Sequence, residues 1–297
     1  MKTAAISVIV PTLNAESEIA ELLELLSEQS MRPTEVLVVD SESNDRTLDI
    51  ARQFDFVTTY CIRRKEFNHG LTRHQAFLRT TGEFVCFLTQ DALPTSDDYL
   101  KNLIEPMQED ETIALVCGRQ VPKADARRYE QLVRQFNYPD SGNVRSIDDL
   151  DRMGIKTFFA SDVCSAYRRD PYLKCGGFQE VDTNEDMLMA ASLLYAGYKV
   201  AYEPSAAVIH SHNLSFREQY RRNVAVGFFI EEHRGDLGGA KESGEGARLV
   251  KVVSGELLSE GKFAEVIRFG IDCLARALGN RAGRRAALEV KKNRPTT

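Results

Sequence analysis

The chain has no tryptophan among its 297 residues, so any site that requires an indole is excluded. No apolar run approaches the ~20 residues that a membrane-spanning helix needs, and no segment is expected to cross a bilayer. There is no C-x-x-C pair; the cysteines at 61, 86, 117, 164, 175 and 273 are irregularly spaced and mostly flanked by apolar residues, as in Val85-Cys86-Phe87. That pattern reads as buried free thiols in a reducing compartment rather than as a zinc site. No secretory leader is expected, because Met-Lys-Thr-Ala-Ala runs straight into a β-rich stretch, and a cytoplasmic location is expected with it. Positive charge is not in excess either. The net charge of −6 gives no reason to expect nucleic acid as a partner. The tail departs from that balance: from Ala240 onward, twelve Lys and Arg stand against seven Asp and Glu.

What is present suits a globular protein. Hydrophobic content of 43% and charged content of 28% are ordinary for one, and the length allows a large domain with an extension. Residues 6–10 are β-branched and apolar and end at Pro11, which reads as a buried strand. Ile19, Leu22, Leu23 and Leu26 then recur at helical spacing. Residues 35–39, 57–62 and 84–88 are further strands, with helices near 46–54 and 72–79. This alternation predicts an α/β fold, a Rossmann-like and mostly parallel central sheet with helices on both faces. Ligands of such sheets bind outside the carboxyl ends of the strands. Asn14, Asp40 and Asp91 each follow a strand closely, so all three are expected on that edge.

Beyond this core, residues 113–118 read as a strand, 126–137 as a helix and 139–151 as a polar, mobile loop. Residues 158–167 read as an interrupted strand, 187–196 as a helix, 199–212 as a strand and 215–234 as a helix. Five glycines in 235–246 mark a linker before a last helical region. The expected organisation is a domain over 1–215 and a C-terminal helical extension over 216–297.

Five groups of residues could carry chemistry. Asp91, in Phe-Leu-Thr-Gln-Asp-Ala, follows a buried strand and suits a hard divalent cation that neutralises phosphate; its bland alternative is a loop or capping carboxylate. Asp40 could accept hydrogen bonds from a base or ribose, yet the glycine fingerprint of dinucleotide folds is missing after the first strand, where Pro-Thr-Leu-Asn stands. Glu185 and Asp186 lie at a helix start, where a carboxylate could remove a proton from a hydroxyl; Thr183 and Asp186 also have the spacing of a capping box. His210 and His212, two apart on a strand end, point the same way and could bind metal or phosphate, or be satisfied edge histidines. Arg217, Arg221 and Arg222 suit phosphate, or a solvated helix face.

Val-Ile-Val-Pro-Thr-Leu-Asn (8–14), Val-Val-Asp-Ser-Glu-Ser-Asn-Asp (38–45), Leu-Thr-Gln-Asp-Ala (88–92) and Asn-Glu-Asp (184–186) stand in the order and spacing of a known family. Over roughly residues 5–215 the chain resembles the family-two glycosyltransferases, inverting enzymes of the GT-A fold. Glu-Phe-Asn-His-Gly-Leu-Thr-Arg (66–73), Gln-Phe-Asn-Tyr-Pro (135–139) and Ile-His-Ser-His-Asn-Leu-Ser (209–215) are similar to the rhamnosyltransferase branch. The resemblance implies that Pro11, Thr12 and Asn14 line the base and ribose pocket with Glu16 close by, and that Asp40 holds the pyrimidine or ribose. It implies that Asn68, Gly70 and Arg73 lie beside the nucleotide, with Gln90, Asp91, Arg221 and Arg222 on the donor. Asp186, beside Glu185, aligns with the general base. The cofactor implied is a divalent cation, Mg²⁺ or Mn²⁺, on Asp91 with His212 and His210, because Thr89 replaces the first acid of the usual Asp-x-Asp motif. Gln219-Tyr220-Arg221-Arg222-Asn223 is only distantly similar to the Gln-x-x-Arg-Trp of processive members.

The implied partners are a nucleotide-sugar donor, foremost dTDP-rhamnose or another pyrimidine-diphosphate hexose, and a saccharide or lipid-linked acceptor. The basic tail either lies peripherally on an anionic inner membrane face, packs a homodimer or covers the core. A catalytically silent nucleotide-sugar binding module is the alternative reading. A signalling domain phosphorylated on Asp40 would leave Asp91, Glu185 and the histidines unexplained.

Overall fold

Short runs of β-branched and apolar residues become strands that end at or just past a polar or proline residue; the first strand continues through Pro11, the expected stop, to Thr12. In the computed structural model, which describes residues 5–241 and 244–293, the first half follows this rule closely. Its elements are β1 (Ile6–Thr12), α1 (Ile19–Ser27), β2 (Glu35–Asp40), α2 (Thr47–Ala51), β3 (Val57–Cys61), α3 (His69–Arg79) and β4 (Phe84–Leu88). The second half contains β5 (Leu93–Pro94), α4 (Tyr99–Glu109), β6 (Ile113–Val121), α5 (Arg128–Asn137), β7 (Asn143–Arg145) and α6 (Leu150–Met153). It continues with β8 (Cys164–Arg168), α7 (Arg169–Lys174), α8 (Glu185–Tyr195), β9 (Lys199–Ile209), α9 (Phe216–Glu232), α10 (Glu245–Ser259) and α11 (Phe263–Asn293).

The strands form one sheet in the order β3-β2-β1-β4-β8-β6-β9-β5, with β7 added on β9. Side-chain alternation sends Val8, Val10, Val36, Val38, Cys86 and Leu88 to one face, against α1 and α4. Ile9, Leu37, Val39, Val85 and Phe87 go to the other, against α3 and α8. Central strands buried on both faces read as continuous apolar runs, as the sequence shows.

The expected α/β fold with helices on both faces is present, and β3, β2, β1 and β4 are parallel. Beyond β4 the sheet is mixed. β8 enters antiparallel between β4 and β6. Segment 158–167, read as an interrupted strand, is the end of a 3₁₀ turn (Gly154–Phe158) followed by β8. Segment 139–151, read as a mobile loop, is structured: β7 pairs with β9, and the buried Arg145 donates to the carbonyls of Lys156 and Thr157 at 2.9 and 3.2 Å. In the glycine-rich stretch Leu237 is buried in the core, while Glu242 and Ser243 lie outside the described residues. Cys86, Cys117 and Cys164 are buried as expected; Cys61 is exposed at the end of β3.

The C-terminal region is built on a close helix pair. A Cβ on Gly279 or Gly283 of α11 would lie 2.4 or 2.0 Å from the carbonyl oxygens of Tyr220 and Val224 in α9, so the two backbones approach to near contact. No described helix is long and apolar enough to cross a membrane.

Candidate active site

Three strand ends build the first part of the site. Thr12 Oγ1 donates to Asp40 Oδ1 at 3.1 Å. Ser43 donates to the same carboxylate through its N–H at 2.9 Å and its hydroxyl at 2.5 Å. Asp40 is fully buried and thereby ties the loops after β1 and β2 together. Asn14, at φ 50°, accepts from the Asn44 N–H at 2.9 Å, and Glu16 accepts from the Arg46 N–H at 3.0 Å. Gln90 acts like a short piece of strand: its Oε1 accepts from the Leu13 N–H at 2.8 Å and its Nε2 donates to the Leu13 carbonyl at 3.3 Å. Pro11, Thr12, Arg73 and Gln90 line a pocket of about 450 Å³ together with Leu13, Ser41, Arg64, Phe67, His69 and Thr89. Thr89 Oγ1 is buried there without a hydrogen-bond partner among the described residues.

The second part lies where α3 meets α8. Asn68 caps α3, its Oδ1 accepting from the Leu71 N–H at 2.9 Å, and its Nδ2 donates to Asp182 at 2.9 Å. Gly70 donates its N–H to the Val181 carbonyl at 3.1 Å. A Cβ there would lie 1.8 Å from the Gln179 carbonyl oxygen, so only glycine lets α3 close on this segment. One turn on, the buried Arg73 pairs with Glu185 at 3.0 Å and faces Asp162 at 3.9 Å. Asp162 accepts from the hydroxyls of Ser165 and Tyr167 at 2.7 and 2.8 Å, and its N–H donates to Asp186 Oδ2 at 3.2 Å. Arg73 thus faces two carboxylates, and Asp186 joins the group through the Asp162 N–H. Burial pushes the Asp162 carboxyl up to about 6, with Arg73 opposing and Glu185 adding. Asp186 is driven well above the usual carboxylate range, by burial first and then by Glu185 and Asp162. A capping box does not form here; α8 starts from Asn184 in the left-handed region without a side-chain cap.

The third part gathers Asp91 and the two histidines. His210 Nε2 and His212 Nε2 lie 3.5 and 3.3 Å from Asp91 Oδ2, and the ligand atoms of all three lie within 4.8 Å of one another. Lys123 Nζ lies 3.9 Å from the same oxygen. Behind them, Gln120 Nε2 donates to the Tyr138 hydroxyl at 2.7 Å and to Ser161 Oγ at 2.9 Å. Its Oε1 therefore faces His210 Nδ1, 3.0 Å away. An amide oxygen only accepts, so His210 carries its proton on Nδ1 and turns the Nε2 lone pair toward Asp91. Burial pushes His210 down to about 3 against the pull of Asp91, and it lowers His212 in the same way. Two neutral imidazoles and a carboxylate converge, and the His210 lone pair facing a carboxylate oxygen repels it unless a cation lies between them. The donor set fits a divalent transition metal.

Beyond His212 a cavity of about 280 Å³ opens between α5, α9 and α11, lined by Arg134, Tyr138, Arg222, Asp272 and Arg276 among others. A second cavity of about 360 Å³ shares Asn137 and Phe159 with it. Arg222 therefore lines this cavity with His212, whereas Arg217 and Arg221 line neither this cavity nor the pocket at the strand ends. Sequence reasoning missed Gln120, Asp162 and Lys123, which meet the site only through the sheet. It also missed Phe67 and His69, although they alternate with the residues that it chose in the 66–73 run.

Residues 7–176 match the model of glycosyl transferase family 2. The chain is 39% identical over 287 residues to the O-antigen chain rhamnosyltransferase RfbN of Salmonella typhimurium, covering 94% of this chain and 89% of that protein. It is 37% identical over 284 residues to the O-antigen chain rhamnosyltransferase WbaN of Salmonella anatum, with the same coverage. Among solved structures, the mannosyltransferase PcManGT of Pyrobaculum calidifontis, in complex with GDP-Man and Mn²⁺, aligns with a TM-score of 0.59 at 20% identity, over 99% of this chain and 76% of that one. Residues 1–349 of TarS from S. aureus align with a TM-score of 0.57 at 17% identity, over 99% and 93%. These neighbours carry the fold, and the family match carries the chemistry: the chain belongs to glycosyl transferase family 2 and is a glycosyltransferase.

Proposed function

We propose that this glycosyltransferase moves rhamnose from dTDP-rhamnose, or from a related pyrimidine-diphosphate hexose, to a hydroxyl of a saccharide or lipid-linked acceptor in surface polysaccharide synthesis, with inversion at the anomeric carbon. The observation that carries the sugar and the process is the identity of 39% and 37% to two O-antigen chain rhamnosyltransferases across nearly the whole chain. Pro11, Thr12 and Gln90 wall the nucleotide pocket; Asp40, Asn14 and Glu16 brace the loops that shape it, while Asn68 and Gly70 seat Arg73 at its floor. Asp186 takes the proton from the acceptor hydroxyl as that oxygen attacks the face opposite the nucleotide, and its raised pKa makes it a stronger base than a surface carboxylate. Glu185 holds Arg73 in place.

Asp91, His210 and His212 would hold a divalent cation, which when bound neutralises the charge developing on the departing diphosphate. Two imidazoles favour Mn²⁺ over Mg²⁺, since Mg²⁺ prefers an all-oxygen shell. The Mn²⁺ in the mannosyltransferase complex supports a cation in this fold. Arg222 and Lys123 add positive charge on the same side, and the cavity beyond His212 receives the acceptor. A panel of pyrimidine and purine nucleotide sugars, assayed for hydrolysis and transfer with Mn²⁺, Mg²⁺ or EDTA, tests the reading. Turnover of dTDP-rhamnose above the other donors is expected, and preference for another sugar overturns the donor assignment. Binding of donors with turnover of none would establish the silent binding module instead.

A further inference from the structure

The longest helix has two unlike faces. Phe269, Asp272, Ala275, Gly279, Gly283 and Ala287 of α11 are buried, and its glycines seat it on α9. The outward face carries Phe263, Ile267, Ile271, Leu274 and Leu278, exposed by 67%, 66%, 48%, 53% and 46%. Such a row of large apolar side chains in water is unusual for a helix whose other face is already packed. Charge along this face is positive as far as Leu288, and the exposed Glu289 follows. Every exposed residue from 263 to 288 is apolar, glycine or arginine, the arginines being Arg268, Arg281 and Arg285. The chain as a whole is at −6, yet residues 263–293 hold seven Lys and Arg against three Asp and Glu.

We propose that this face of α11 docks the protein on an anionic lipid bilayer, the apolar row entering the interface and the arginines meeting the headgroups. A helix of this kind lies in the plane of the interface, where buried apolar area and attraction to anionic lipid act together. A second copy of the chain fits less well. The spacing of Ile267, Ile271, Leu274 and Leu278 continues into Arg281 and Arg285, so a parallel partner would stack arginine on arginine. The apolar row is also only ~22 Å long and one helix, ~10 Å, wide, well short of the ~800 Å² per partner of a stable interface. The position has a consequence for the reaction. Asp272 and Arg276 of the same helix line the cavity beside His212. A shallow depression of about 100 Å³, lined by Phe216, Arg268 and Ile271, joins the apolar row to that cavity's rim at Tyr129 and Leu214. An acceptor carried on a lipid would thus arrive at the cavity from the docked side; this last point rests on the proposed function, whereas the docking does not.

Flotation of the full chain with phosphatidylglycerol–phosphatidylcholine vesicles, at low and high salt, tests the docking. Salt-sensitive partition into the anionic vesicles and none into pure phosphatidylcholine is expected. Ile267→Glu with Leu274→Glu should lower the partition coefficient at least ~10-fold, and Arg281→Gln with Arg285→Gln should flatten its salt dependence. Circular dichroism and donor hydrolysis of the variants should match the parent, which separates a failure of docking from a failure of the catalytic reading. No partition by the parent, equal partition by the glutamate variant, or a light-scattering mass of two chains that the glutamate variant halves without any vesicle binding overturns the proposal.

Discussion

A carboxyl group that is to take a proton from a hydroxyl must first have lost its own. Asp186 is held well above the ordinary carboxylate range by burial and by two neighbouring acids, so its ionised fraction, and with it turnover, should climb as pH rises through that elevated value. The acid limb of the kcat profile is therefore expected above the ~4 of an unperturbed carboxylate; a limb at that ordinary value would place the base elsewhere. Asp186→Asn should keep donor affinity, read by calorimetry, and lower turnover at least ~100-fold. Gln120 shows how a residue without direct contact can matter. Gln120→Leu removes the acceptor that holds His210 in its Nδ1–H form, and Mn²⁺ affinity should fall ~10–100-fold, measured by calorimetry or paramagnetic resonance without any substrate. Unaltered Mn²⁺ binding in both Gln120→Leu and His210→Ala would count against the Asp91–His210–His212 group as a cation site.

Two elements carry the site through close contacts that only glycine allows. α3 brings Arg73 to Glu185 because Gly70 lets its first turn rest on the 179–181 segment. Gly70→Ala should cost ~1–3 kcal/mol, the usual range for overpacking, visible as a lower Tm, and it should cut turnover by shifting Arg73 away from the acids. An unchanged Tm would mean that the segment gives way freely. The α9–α11 pair is stricter. Gly283→Leu has no room against Val224 and should destabilise the C-terminal helices, exposing their amides to hydrogen exchange while β1–β4 stay protected. Elements made from local signals were readable beforehand: β1, β2 and β4 are each an apolar run with its stop signal only residues away, and α1 shows its period within two turns. β7 was not readable, because Asn143 pairs with Tyr202 and three mostly polar residues form a strand only when that partner offers its edge.

At the scale of the whole molecule, the parallel half of the sheet presents the pocket at the strand ends, and the mixed half supplies His210 and His212 after β9 and Asp162 before β8. Charge follows the same division, with acids clustered around Arg73 in the interior and a basic, apolar face on α11 outside. Sequence by itself determined the α/β class, the strand ends followed by Asn14, Asp40 and Asp91, and the placing of His210 beside His212, because period, terminators and side-chain alternation are properties of neighbouring residues. Tertiary structure alone decided that β8 runs antiparallel, that Asp40 is a buried clamp, that Gln120 and Asp162 stand behind the site, and that α11 turns its apolar row outward. Each of these depends on which residues meet across dozens of positions in the chain, and hydrogen bonding, burial and charge coupling act between groups that are close in space, whatever their separation in sequence.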